Sequence, residues 1–313
     1  MKQLMIWLSA AGLLVFSVVP MRARDLLLAA PDCPLEQENY IVDAAPRDTM
    51  RFAVIGDFGW AGKSEHSVEE LVTGWKPNFI VTTGDNNYEL GLDMTIDANI
   101  GQYYHDYIGS YTGQYGKGSQ ENRFFPVIGN HDWGFGSIDP YLNYFSLPGN
   151  ERYYRVLRGE VEFFMLDSDT REPDGVSPDS VQGKWLKDAL ADSKATYKVV
   201  AFHHPPYSSS QHGSNQWMQW PFAEWGATLV LNGHDHVYER IIKDGFPYIV
   251  DGAGGQSLYN FKDPVDGSKV RYNCNFGALL VDVTDEQMTS RFITIKASLV
   301  DTFTIDAPTL KSK

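Results

Sequence analysis

Phe79-Ile80-Val81-Thr82-Thr83-Gly84-Asp85-Asn86-Asn87-Tyr88 is the stretch on which the reading of this chain turns. An apolar, β-rich run stops at a glycine and hands over at once to a carboxylate, the arrangement with which α/β sheets build sites at their strand ends. On its own this is also ordinary turn chemistry. Four other runs end in the same way. Arg51–Gly56 is followed by Asp57, Phe124–Gly129 by Asn130-His131-Asp132, Lys198–Phe202 by His203-His204, and Ala227–Gly233 by His234-Asp235-His236. Asp, Asn and His are the residue types that bind hard or borderline cations. Five unrelated turns would not be expected to share them.

The 313 residues, with 43% hydrophobic and 13% aromatic content, can bury one large α/β core or two smaller ones. The formal charge of -14, from 26 Lys+Arg against 40 Asp+Glu, argues against a nucleic-acid or anionic-membrane surface. Residues 1–23 read as a signal peptide with Lys2 in a basic start, an apolar stretch from Leu4 to Val19 and a cleavage region around Ala23, so export is expected. An uncleaved anchor is the competing reading. Residues 24–48 read as a polar N-terminal extension, 49–305 as a single domain, and 306–313 as a tail. The two cysteines, Cys33 and Cys274, form no Cys-x-x-Cys motif; they either pair or pack separately.

Within 49–305 the pattern is strand, loop, helix, strand. Ser64 is placed to cap a helix that carries Val68, Leu71 and Val72 and ends near Gly74. Leu92–Ile108 and Val181–Leu190 read as further helices. Arg152–Leu157 and Val161–Asp167 read as paired strands about Gly159, and Tyr248–Val250, Ala278–Val283 and Ser290–Ile295 as late strands. Mixed sheets with helices outside follow.

Asp57, Asp85, Tyr88, Asn130, His203, His234 and His236 supply too many donors for one cation and about enough for two, with Asp85 as a bridge. Paired cations roughly 3.5–4 Å apart are the usual apparatus for phosphate-ester hydrolysis. In His234-x-His236 the alternation of a strand sends both rings to one face. The same alternation puts His203 with Val199 and Ala201, and His204 on the other side.

The blocks Gly56-Asp57-Phe58-Gly59, Gly84–Tyr88, Gly129–Asp132, Phe202-His203 and Gly233–His236 resemble the five-block signature of the purple acid phosphatases, within the calcineurin-like metallophosphoesterases. The small tartrate-resistant type is the nearest in pattern, and the resemblance runs from about Arg51 to Asp282. Most members of the wider superfamily have Asp-x-His in the first block. Here Gly59 replaces that histidine and Tyr88 is offered instead. The resemblance implies a four-layer α/β/β/α sandwich of two mixed sheets flanked by helices. It further implies that Asp57, Asp85, Tyr88 and His236 hold Fe(III), and that Asp85, Asn130, His203 and His234 hold a divalent ion (Fe, Zn or Mn). His131, which Asp132 is placed to orient, and His212 would face substrate; His66 and His105 have no such role. The expected activity is hydrolysis of phosphate monoesters by in-line attack of a metal-bound hydroxide. A phosphodiesterase or nuclease, or a non-catalytic metal- or phosphate-binding protein, are the alternatives. Small phosphate monoesters are the expected partners, with no nucleic acid and no stable membrane insertion.

Overall fold

The computed structural model describes residues 37–307. The proposed signal peptide, Cys33 and the last six residues lie outside them. Cys274 is not a free thiol.

Strands β1 (Met50–Ile55), β2 (Phe79–Thr82) and β3 (Phe124–Phe125) run parallel to one another. They are extended on the far side by β11 (Gly277–Val283), β12 (Gln287–Thr294) and β13 (Leu299–Asp306), all antiparallel. The sheet order is β13-β12-β11-β1-β2-β3. A second sheet has the order β10-β8-β9-β7-β6-β5-β4. Its members are β4 (Tyr154–Arg158), β5 (Val161–Met165), β6 (Tyr197–Ala201), β7 (Leu229–Asn232), β8 (Tyr238–Lys243), β9 (Phe246–Asp251) and β10 (Ser268–Tyr272). In it β5, β6, β7 and β9 are mutually parallel.

The central strands read as unbroken apolar runs because both of their faces are covered. Phe52, Val54, Phe79 and Val81 of the first sheet meet Phe163, Met165, Val199 and Leu231 of the second in the middle layer. The alternate residues Ala53, Ile55 and Ile80 pack outward on Val68 and Val72 of helix α1 (Lys63–Gly74). Phe164, Val200 and Val230 pack outward on Leu186 and Leu190 of α5 (Val181–Asp192). Helix, sheet, sheet and helix therefore stack as four layers, as expected.

Several local expectations are corrected. Ser64 lies inside α1, whose N-cap is Gly62 and which has no side-chain cap. The cap appears instead at α5, where the Ser180 hydroxyl accepts from Gly183 N at 3.0 Å. The expected helix 92–108 is a run of short pieces: α2 (Asp93–Ile96), a π turn (Asp97–Gly101), α3 (Gln102–Tyr104) and a 3-10 turn (His105–Tyr107). A six-residue helix, α4 (Asp139–Tyr144), was not anticipated. Strand β3 is only two residues long, because the chain leaves the sheet edge before Gly129. β8 and β9 form a hairpin across Asp244-Gly245, whose φ angles of 51° and 82° suit a tight turn. Residues 37–40 of the N-terminal extension run against the start of β13, with Gln37 and Leu299 exchanging two 3.0 Å backbone hydrogen bonds. Among the described residues no helix is long and apolar enough to cross a membrane.

Candidate metal centre

β1, β2, β3, β6 and β7 all point their C-terminal ends the same way, so the loops that follow them meet where the two sheets abut. The turns are tight. Asp57, Asp85 and His234 have positive φ angles of 54°, 53° and 68°, a conformation that Asp, Asn and His tolerate better than most residues. Each reverses the chain directly after its strand and brings its side chain back over the sheet edge. Glycines make room for this. A Cβ at Gly129 would lie 2.2 Å from the backbone nitrogen of Asp85, and one at Gly84 would lie 2.6 Å from His203 Nδ1.

All seven expected donors converge, in two groups. The Tyr88 hydroxyl is 3.0 Å from Asp85 Oδ2 and 3.2 Å from both Asp57 Oδ1 and His236 Nε2. His236 Nε2 is 3.4 Å from Asp57 Oδ1. In the second group His203 Nε2 is 3.0 Å from Asn130 Oδ1, 3.2 Å from His234 Nδ1 and 3.3 Å from Asp85 Oδ2. The atom common to both is Asp85 Oδ2. Its companion Oδ1 is turned away and accepts from His131 N at 2.8 Å.

These spacings fit cations. Ligand bonds of about 2.1 Å put neighbouring donors roughly 3.0 Å apart around an octahedral ion and roughly 3.4 Å around a tetrahedral one. They are also hydrogen-bond lengths, and in the protein alone protons fill the gaps. Burial by itself would lower the pKa of His203, but Asp85 and Asp57 raise it to about 10. Burial, then Asp85 and Asp57, push the Tyr88 phenol well above its ordinary value. Burial, then the neighbouring His203, hold His234 well below its own. In the protein alone the His203 ring therefore keeps a proton against Asp85, and the Tyr88 phenol keeps its own. Cation binding would expel those protons, as metal sites generally do. Asp57, Asp85 and His203 present donor atoms within 4.8 Å of one another, and the donor chemistry fits the binuclear reading.

The ring orientations are fixed from outside the centre, as metal-ligating histidines usually require. His203 Nδ1 donates to Thr83 O at 2.8 Å and His236 Nδ1 to Ser257 O at 2.6 Å, which leaves each Nε2 facing inward. Tyr259 stacks on His236 with ring centroids 4.0 Å apart. Arg171, paired with Asp169, donates to Asn130 O at 3.1 Å. None of these partners carries a sequence signal, because each is a backbone carbonyl or a loop residue remote in the chain.

His204 is not among the donors: its Nδ1 lies 2.9 Å from Ser168 Oγ, and its ring packs beside that of His234 with centroids 4.5 Å apart. His131 sits at the rim with its ring 4.3 Å from that of Tyr88. Its orienting partner is not Asp132 but the carbonyl of Glu89, which accepts from Nδ1 at 2.7 Å. Asp132 is fully occupied elsewhere, accepting from Gly129 N, Asn86 N and Asn86 Nδ2 at 2.8–3.1 Å, and so ties the Asp85 turn to the Asn130 turn. His212 stacks on His234 at 4.3 Å. Its loop is pinned by Asp235, the residue between His234 and His236, which accepts from Ser208 Oγ, His212 N and Gly213 N. His66 and His105 are remote, the first beside Glu69 on α1 and the second bonded to Gly101 O.

A double sheet with a shared carboxylate at its strand ends defines a metallophosphoesterase. Residues 50–238 match the calcineurin-like phosphoesterase family, and the chain belongs to it. Among curated proteins it is similar to rabbit (Oryctolagus cuniculus) tartrate-resistant acid phosphatase type 5, 26% identical over 69% of this chain and 74% of that one. It is also similar to purple acid phosphatase 17 of Arabidopsis thaliana, 28% identical over 74% and 75%. Two solved structures share the fold with a TM-score of 0.66. One is a purple acid phosphatase from yellow lupin (Lupinus luteus) seeds, at 18% identity over 82% of this chain and 54% of that one. The other is GAP50 of Plasmodium, described as the anchor in the inner membrane complex, at 17% identity over 85% and 91%.

Proposed function

We propose that the chain is an exported, binuclear-metal acid phosphatase acting on small phosphate monoesters. The observation that carries this reading is Asp85 Oδ2, the one atom that belongs to both donor groups. Asp57, Tyr88 and His236 complete one site, suited to Fe(III) by its phenolate and carboxylates. Asn130, His203 and His234 complete the other, for a divalent ion. When bound, the pair would supply an activated water and positive charge against the phosphoryl oxygens.

The chain's own residues do the rest. His131, whose Nδ1 is committed to Glu89 O, keeps Nε2 for the substrate. His212 stands exposed on the opposite ligand, His234. Both would bind phosphate or protonate the departing alkoxide, and the latter is a contribution typically worth about 10²–10⁴-fold. No side chain is needed as a nucleophile.

The test combines metal analysis of purified protein with assays on a monoester, a bis-ester and single-stranded DNA in mildly acidic buffer. Two metals per chain with preferential monoester hydrolysis is expected. Preference for the bis-ester or for DNA would make it a phosphodiesterase or nuclease. Full metal content without hydrolysis would make it a binding protein.

A further inference from the structure

Beside the centre lies a cavity of about 420 Å³, within the range of roughly 300–1,000 Å³ usual for ligand pockets. Trp60, Ala61, Leu90 and Leu92 form its walls; Tyr88, one of the donors, and Glu89, whose carbonyl accepts from His131, line it too. Trp60 is 46% exposed and Leu90 41%, although both are large and apolar. Scattered apolar residues on a surface mean little, but these two face one cavity.

The polar groups of Asn99 and Thr95 in the cavity are already committed. Asn99 Oδ1 accepts from Ala61 N at 3.0 Å, and its Nδ2 donates to Asn87 Oδ1 and to Tyr88 O at 2.8 and 3.1 Å. The Thr95 hydroxyl donates to Asn87 Oδ1 at 2.7 Å. A sugar or polyol entering here would give up hydrogen bonds to water and find few in return, whereas an apolar group would lose nothing. Glu89 adds an exposed carboxylate to the rim, which disfavours a second anionic group on the ligand.

The cavity is also pre-formed and tied to the centre. Trp60 follows Asp57 by three residues and Leu90 follows Tyr88 by two. Tyr88 N donates to Gly59 O at 2.8 Å, joining the two loops. A Cβ on Gly134 would sit 1.8 Å from Leu90 O, so the Leu90 segment lies directly on the loop of His131. Asn99 reaches both walls from the π turn Asp97–Gly101, the kind of local irregularity that accompanies functional sites.

We propose that this cavity receives the alcohol portion of the substrate and selects phosphate monoesters whose leaving group carries an aromatic or bulky apolar end, neutral or cationic. The proposal rests on the phosphatase reading above. The leaving group would pass His131 and follow the Tyr88–Glu89 segment into the space between Trp60 and Leu90.

The test compares 3-phenylpropyl phosphate with n-propyl phosphate, which release the same kind of alkoxide and differ only in the ring. Metal-replete wild-type protein should prefer the phenyl ester by about tenfold or more in kcat/KM, chiefly through KM. Trp60→Ala should remove most of that preference, and Trp60→Phe should keep most of it. Inhibition of wild-type protein by 3-phenyl-1-propanol but not by 1-propanol gives a readout that needs no variant. Equal hydrolysis of the two esters by wild-type protein, or a preference that survives in both Trp60→Ala and Leu90→Ser, overturns the cavity assignment alone. Hydrolysis of neither ester overturns the phosphatase reading and this assignment with it.

Discussion

Each donor has one job that a single substitution can expose. Asp85→Ala removes the oxygen shared by the two groups, so both metals should be lost together. Elemental analysis showing near-normal content of either one would contradict the bridge. Tyr88 is a phenol that burial and two carboxylates hold protonated in the protein alone, so only a strongly Lewis-acidic ion would ionise it. Wild-type protein loaded with iron should therefore show a visible charge-transfer band. Tyr88→Phe should lose the band while the second site stays filled; a band that persists in the variant would remove Tyr88 from the centre. His131→Ala and His212→Ala should keep both metals and lower turnover more on alkyl than on aryl phosphates, because poorer leaving groups depend more on protonation. Equal losses on the two substrate classes would assign these histidines to phosphate binding.

At the level of elements, the site is a set of strand ends held in register by a few side chains. Asp132 is the clearest of these, since it satisfies donors from two turns at once. Asp132→Ala leaves Gly129 N and Asn86 N buried without their acceptor, which should cost roughly 2–6 kcal/mol at about 1–3 kcal/mol for each orphaned group. Urea denaturation of the metal-free protein measures this directly. Were Asp132 there to orient His131, its removal would mimic His131→Ala and spare stability; a loss below about 0.5 kcal/mol would restore that role.

For the molecule as a whole, the buried acids set how stability varies with pH. Glu65, in the first turn of α1, is fully buried, and neither of its carboxylate oxygens has a hydrogen-bond partner. Burial, with some help from Glu69, pushes its pKa well above the ordinary value of 4.5. Its folded form therefore holds a proton that the unfolded chain has already released. The resulting stability is complete below about pH 4.5 and declines as pH rises toward the raised value, by up to about 1.4 kcal/mol per pH unit. Glu65→Gln, neutral and of the same shape, should flatten that decline as pH rises above about 4.5. A variant whose denaturation midpoint falls with pH as steeply as wild type would show that other groups govern it.

Much of this could be read in the sequence because strands and their terminal residues are local features. Phe79–Val81, Val199–Phe202 and Leu229–Leu231 carry their burial as unbroken apolar runs, and the Asp, Asn and His residues that come after them are visible by type and position. His203 and His204 follow the end of β6 at Ala201, and it is their contacts that separate them, His203 with Asn130 and His204 with Ser168. Three-dimensional contact decided the rest. That Oδ2 and not Oδ1 of Asp85 faces both donor groups depends on a backbone N–H from residue 131. That Glu89, not Asp132, orients His131 depends on how two loops from different strands lie against each other. The π turn that delivers Asn99, the short β3 and the cavity beneath Trp60 arise where tertiary packing overrides helix and strand periodicity. The contacts of His131 with Asp85 and Glu89 join residues 46 and 42 positions apart, and pairings at that separation leave no trace in local pattern, because they are selected by the shape of the assembled sheets.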